Sequence, residues 1–219
     1  MTADILALYG LGATVAFAHT ILGPDHYLPF IALSRSGRWS LGKTVAITVL
    51  CGIAHVLGSV VLGLLGIACG TKLLNLQGIE SIRGALAGWL LLGFGLAYTV
   101  WGIRMAIRER SPFQAPAIPS ADSSLTPWIL FAIFVFGPCE PLIPLLMLPA
   151  AQASWSGVAS VAMVFGLVTV CTMTAVVVAA VQGTPRCGDQ WLGRCTRRYG
   201  HALAGLVVLV CGALVKAGV

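Results

Sequence analysis

Four histidines and two carboxylates give this chain most of its chemical interest, because five of those six groups stand in stretches otherwise built from Ala, Val, Leu, Ile, Gly and Phe. They are His19, Asp25, His26, His55 and Glu140, with the thiol of Cys139 beside the last. An ionisable side chain in hydrocarbon costs about 2.5–3.5 kcal/mol or more, so each marks a candidate functional site. Imidazole, thiolate and carboxylate together form the ligand set of Ni, Co, Zn or Cu, whereas Mg or an alkali ion would favour oxygen alone. His19 and His26 flank Gly23-Pro24; seven residues apart, they would lie near one face of a continuous helix, and a break there could bring them closer. Cys51 and His55 are four apart and share a helix face. The competing structural reading is that His55 is polar glue between helices and that His19, Asp25 and His26 form a satisfied polar kink.

These groups need a scaffold, and the composition says which kind. Of 219 residues, 58% are hydrophobic and 9% charged, with mean hydropathy +0.94, against about 25% charged in a typical soluble domain. Such a chain cannot cover itself with polar groups, which excludes a water-soluble globule and with it an elaborate soluble enzyme. The net charge of +6 does not point to nucleic acid, because the thirteen Lys and Arg fall in short clusters between apolar runs. Seven cysteines spread over apolar segments argue against a disulfide framework; Cys187 and Cys195 are expected in a reducing loop, and Cys69, Cys171 and Cys211 as apolar filler. No cationic leader or cleavage site precedes the first apolar stretch, which is expected to stay in the mature protein.

About 20 apolar residues make a bilayer span, and six candidates fit: 5–33, 44–70, 84–104, 127–150, 157–181 and 200–218. Alternate loops would then hold Arg35, Arg38 and Lys43, Arg104, Arg108 and Arg110, and Arg186, Arg194, Arg197 and Arg198, leaving Lys72, Arg83 and Lys216 opposite. The positive-inside rule puts both termini outside the cytoplasm and makes 105–126 a cytoplasmic linker. Trp39, Trp128 and Trp191 are expected as interfacial anchors, and His201 among headgroups.

The chain also repeats itself. Gly23-Pro24-Asp25-His26 aligns with Gly137-Pro138-Cys139-Glu140 at an offset of 114, and the same offset sets His55 against Thr169. Gly88 and Gly205 align three residues out of that register. Three spans per half require inverted copies. Pro24 and Pro29 in one copy, and Pro138, Pro141 and Pro144 in the other, block regular helix, and broken backbone at membrane depth survives only inside protein or beside a wet cavity. The expected fold is an all-α membrane protein, one transmembrane domain over 1–219. Its six transmembrane helices form two inverted three-helix repeats, 1–104 and 127–219, with spans one and four broken.

His19-Thr20-Ile21-Leu22-Gly23-Pro24-Asp25-His26 resembles the signature of the nickel/cobalt transporter family and of related urease-accessory membrane proteins, and Gly52-Ile53-Ala54-His55 resembles their second motif. The resemblance implies that His19, Asp25, His26 and His55 recognise the metal. Cys139, Glu140, Cys51 and Thr169 complete the candidate substrate-binding set. Gly137-Pro138-Cys139-Glu140-Pro141 is similar to the Pro-Cys motif of thiol-disulfide electron carriers of cytochrome c maturation, which share the six-span plan. Their relay needs a cysteine from each half, and Asp25 stands opposite Cys139. The expectation is therefore a non-enzymatic secondary transporter of a divalent metal, Ni or Co before Zn or Cu, with no permanently bound cofactor. A thiol-redox carrier and a small-anion exporter of the same fold are the alternatives. The expected partners are the transition-metal ion and the lipid bilayer of a bacterial inner membrane, with no nucleic acid; association into a homo-oligomer is left open.

Overall fold

A computed structural model describes residues 2–70, 73–108, 125–137, 139–152, 154–183 and 191–217. Lys72, Arg110, most of the 105–126 linker, Pro138, Arg186 and Cys187 lie outside the described residues, as do the side chains of Trp191, Arg194, Cys195 and Arg197. Everything regular among the described residues is helical: α1 (Thr2–Leu22), α2 (Leu28–Ser36), α3 (Leu41–Ala68), α4 (Leu73–Arg108), α5 (Leu125–Phe136), α6 (Leu142–Ala151), α7 (Trp155–Gly183) and α8 (Trp191–Ala217). A single 3-10 turn, Pro24–His26, separates α1 from α2.

The boundaries follow from local chemistry. Ser40 opens α3 by accepting a hydrogen bond from the Lys43 amide at 3.2 Å, and Gly70 follows its end with φ +63° in the left-handed region that costs glycine nothing. At Pro24 the chain has no amide to donate, so the last regular bond of α1 runs from the Gly23 amide to the His19 carbonyl, and the helix axis turns by 82°. Pro29 then sits in the first turn of α2, where a missing donor is harmless.

Among the described residues, four helices are long and apolar enough to cross a membrane, namely α3, α4, α7 and Arg198–Ala217 of α8; counting the bent pair α1 and α2 as one span makes five. The expected fourth span is divided into α5 and α6, of 12 and 10 residues. At 1.5 Å per residue these are about 18 and 15 Å long, each short of a hydrocarbon core of about 30 Å. The expected third span is longer than its apolar core suggested: α4 begins eleven residues before residue 84 and carries Glu80 and Arg83 as helical, inward groups rather than loop residues. Large apolar side chains cover the outside, Leu74 being 78% and Met163 73% exposed, as a lipid-facing surface requires.

Helix boundaries recur at the sequence offset. Phe136 ends α5 as Leu22 ends α1, Leu142 opens α6 as Leu28 opens α2, and Trp155 opens α7 as Leu41 opens α3, each 114 residues later. Packing partners exchange in the same way, α1 lying on α7 while α5 lies on α3, and α3 meeting α7 and α4 meeting α8 as like pairs. Two apolar clusters hold the bundle. One joins Phe30 and Leu33 to Cys51, Leu91, Leu130, Phe134, Met173 and Val208; the other joins Ala16, Val56 and Phe165 to Cys139, Leu142 and Leu146 of the second break and α6.

The α4–α8 seam is the tightest contact. Gly95 and Gly102 of α4 lie directly against the α8 backbone at Leu209 and Ala202, and Gly205 of α8 lies against the α4 backbone at Thr99. A methyl group at Gly212 would come 2.7 Å from the Leu92 amide nitrogen. Backbone cannot move aside as a flexible side chain can, so Gly95→Leu should force the helices apart. The expected cost is about 1–3 kcal/mol, seen as a lower thermal unfolding midpoint of the detergent-solubilised protein. An unchanged midpoint would contradict the seam.

Candidate metal centre

His19 closes α1, His26 belongs to the 3-10 turn and His55 lies in the middle of α3, yet their rings form one group. Centroids of His19 and His26 are 4.7 Å apart and those of His26 and His55 are 5.0 Å apart, both nearly perpendicular, while the His19 and His55 rings are near parallel at 6.4 Å. One ring nitrogen from each can be chosen so that all three lie within 4.8 Å of one another. His26 Nε2 and His55 Nε2 are 3.3 Å apart. Metal–nitrogen bonds of 2.0–2.1 Å in a tetrahedral site require a nitrogen separation of about 3.3 Å, so that pair already has bound spacing.

The break itself aims His26. Its Nδ1 lies 3.0 Å from the Gly23 carbonyl and 3.2 Å from Asp25 Oδ1, two acceptors and no donor, which calls for a proton on Nδ1, so that in the neutral ring the lone pair is on Nε2. A carboxylate behind an imidazole orients a ligand and raises its basicity, so Asp25 acts behind His26, with its own side chain 25% exposed. Tyr27 donates its phenol to the Ile21 carbonyl at 3.2 Å, serving a carbonyl of the last α1 turn. Buried His19 Nε2 and His55 Nδ1 make no hydrogen bond. A buried ring nitrogen without a partner costs about 1–3 kcal/mol, a cost that a bound cation would remove.

The two breaks meet at this cluster. A methyl group at Gly23 would come 2.5 Å from His26 Nδ1, and one at Gly137, its equivalent 114 residues on, 2.8 Å from His55 Nδ1. Only glycine lets the backbone of each break approach the rings this closely. A pocket lined by Phe134, Gly137, Ala87, Leu91 and Val215 borders the cluster at Asp25 and His55.

The other candidates lie elsewhere. Cys51 shares α3 with His55 but packs into the apolar cluster around Phe30 and Met173. Cys139 is fully buried, its sulfur in the second apolar cluster and its amide donating to Ser59 Oγ at 3.1 Å. Both cysteines are free thiols. Glu140 is exposed, and Thr169, fully buried on α7, has an Oγ1 without a hydrogen-bond partner. Two polar clusters were not anticipated. Tyr98 and Trp101 of α4 hold the His201 ring, with Tyr98 Oη 2.9 Å from His201 Nδ1, so that histidine packs in the α4–α8 seam. Glu80 and Arg83 form a buried ion pair on α4 at 2.7 Å. Their spacing of three in a helix was the available signal, hidden by the polar residues around it at the start of α4.

Comparison with protein-family models, with curated proteins and with solved structures returned no match to this chain. The chemistry therefore rests on the residues themselves. 15N NMR of histidine-labelled protein at alkaline pH, where the imidazoles are neutral, should show His26 as the Nδ1–H tautomer with an unprotonated Nε2, and Gly23→Ala should abolish that signature. An Nε2–H tautomer at His26 would turn a proton, not a lone pair, toward His55 and remove the basis for a metal site.

Proposed function

We propose that the protein is a secondary transporter of a divalent first-row transition metal, Ni or Co before Zn or Cu, and that His19, His26 and His55 bind the ion in transit. The observation that carries this reading is the convergence of three imidazoles from α1, the first break and α3, two of them with buried nitrogens lacking any other partner. Neutral imidazoles bind metal and protonated ones do not, so loading releases any proton held at the site, and a proton gradient can drive unloading. Asp25 supplies the nearest negative charge to offset the dication.

In this reading α5 and α6 together make a sixth, broken crossing, and the recurrence of boundaries at 114 residues with exchanged packing partners supports two inverted halves. The cluster of Arg and Lys at the α2–α3 turn and at the far end of α4 supports cytoplasmic placement of those ends, with both termini on the opposite side of a bacterial inner membrane. Rocking of one half against the other would expose the trio to each side in turn.

Metal accumulation by cells, measured across Ni, Co, Zn and Cu at matched expression, tests the reading. His19→Ala and His26→Ala should each lower transport at limiting metal by about tenfold or more, the range seen when ligands or their orienting partners are lost, whereas Cys139→Ser should stay near wild type. Normal transport in both histidine variants with a dead Cys139→Ser would indicate a thiol site instead. Silence of the wild type toward all four metals would favour the small-anion exporter.

A further inference from the structure

The α5–α6 break has no histidine of its own, yet its backbone is held as firmly as that of the first. Arg83 Nη2 donates to the Val135 carbonyl at 2.9 Å and to the Gly137 carbonyl at 3.4 Å, while Nη1 donates to Glu80 Oε1 at 2.7 Å and to Ser59 Oγ at 3.3 Å. Ser59 Oγ also accepts from the Cys139 amide at 3.1 Å, so α3 and α4 grip the chain on both sides of residue 138. The guanidinium passes through a gap that only Gly58 leaves: a methyl group there would come 2.5 Å from Arg83 Nη2 and 2.9 Å from the Val135 oxygen. Glu80 is fully buried and its Oε2 makes no hydrogen bond, a costly arrangement for a residue that merely fills space.

What this grip holds is Gly137, the residue that abuts His55 Nδ1. We propose that Arg83, with Glu80 and Ser59, is the positioning group of the metal site: it fixes the second break against His55 and so sets how tightly the trio holds its ion, without touching the ion. The proposal rests on the metal reading above. A five-donor planar fork is suited to this task, since one side chain can serve two carbonyls, a hydroxyl and a carboxylate at once, which an ammonium cannot do with the same geometry. If Arg83 lets go, Val135 and Gly137 lose their donor, the break can withdraw from His55, and the ring is free to turn. Energy invested in gripping the break is thereby linked to ion affinity in both directions.

The test is Co2+ binding to the purified full chain in detergent, read by titration calorimetry and by the visible absorption of Co2+, which reports coordination geometry. Arg83→Gln should weaken Co2+ binding about tenfold and alter the spectrum, with Arg83→Lys recovering part of both. Ser59→Ala should shift them in the same direction by less. Wild-type affinity and spectrum in folded Arg83→Gln would overturn the proposal; should that variant fail to fold, wild-type values in Ser59→Ala would do so. Absence of Co2+ binding by the wild type would overturn the metal reading and this proposal with it, whereas binding that His26→Ala abolishes and Arg83→Gln leaves intact would overturn the positioning role alone.

Discussion

Where Pro24 interrupts α1, and again in the residues between α5 and α6, carbonyls and amides lose their regular helical partners inside a largely apolar bundle. Everything else about the interior is arranged around those orphaned backbone groups. At the first break the replacements are side chains of the break itself, the His26 ring on the Gly23 carbonyl and the Tyr27 phenol on the Ile21 carbonyl. At the second they are imported from neighbouring helices, Arg83 from α4 and Ser59 from α3. The difference lies in where the donors come from: the imidazole belongs to the first break itself, whereas the guanidinium and hydroxyl reach the second break from α4 and α3. At the first break, satisfying the backbone also orients the His26 ring.

The pattern of polar residues in apolar sequence was enough to find His19, Asp25, His26 and His55, because a charge-capable group stands out against Ala, Val and Leu and the cost of burying it demands a reason. The proline positions likewise announced both breaks, and helix boundaries recur at the offset of 114. Cys51 shows the limit of helical spacing: four residues from His55 on α3, it still points into the apolar cluster around Met173, because a turn of four leaves about 40° between side chains and a wide helix face borders more than one neighbour. Arg83 was assigned to a loop, and its partner Glu80 was passed over, for the opposite reason. They lie in a polar stretch before the apolar core of α4, where hydropathy suggests a loop, and only the packing of α3 and α5 around that part of the helix draws them inward.

Glycine has three separate duties here. Along the α4–α8 seam it lets backbones touch; at Gly23 and Gly137 it lets the breaks reach the histidine rings; at Gly58 it leaves a passage for a guanidinium. The space of the missing methyl group is taken by backbone along the seam, by an imidazole ring at Gly23 and Gly137, and by a guanidinium and the Val135 carbonyl at Gly58. Membrane helices lack the hydrophobic drive that pushes soluble helices together, and close backbone approach compensates through dispersion over a long contact. The same residue that weakens a soluble helix therefore concentrates at the places where this chain is most tightly determined.

The exchange of packing partners also fixes an order of events during synthesis. Tyr9 on α1 hydrogen-bonds Ser160 on α7 at 2.8 Å, across 151 residues of sequence, and α1 has its main neighbour in α7. A ribosome adding about 5–20 residues per second needs some ten seconds or more to make that stretch, and throughout this interval α1 lacks its main neighbour. Its polar end, with His19 and the broken turn after it, must wait beside whatever the insertion machinery provides. The surface of α1 that faces α7 is therefore covered only when the last third of the chain arrives.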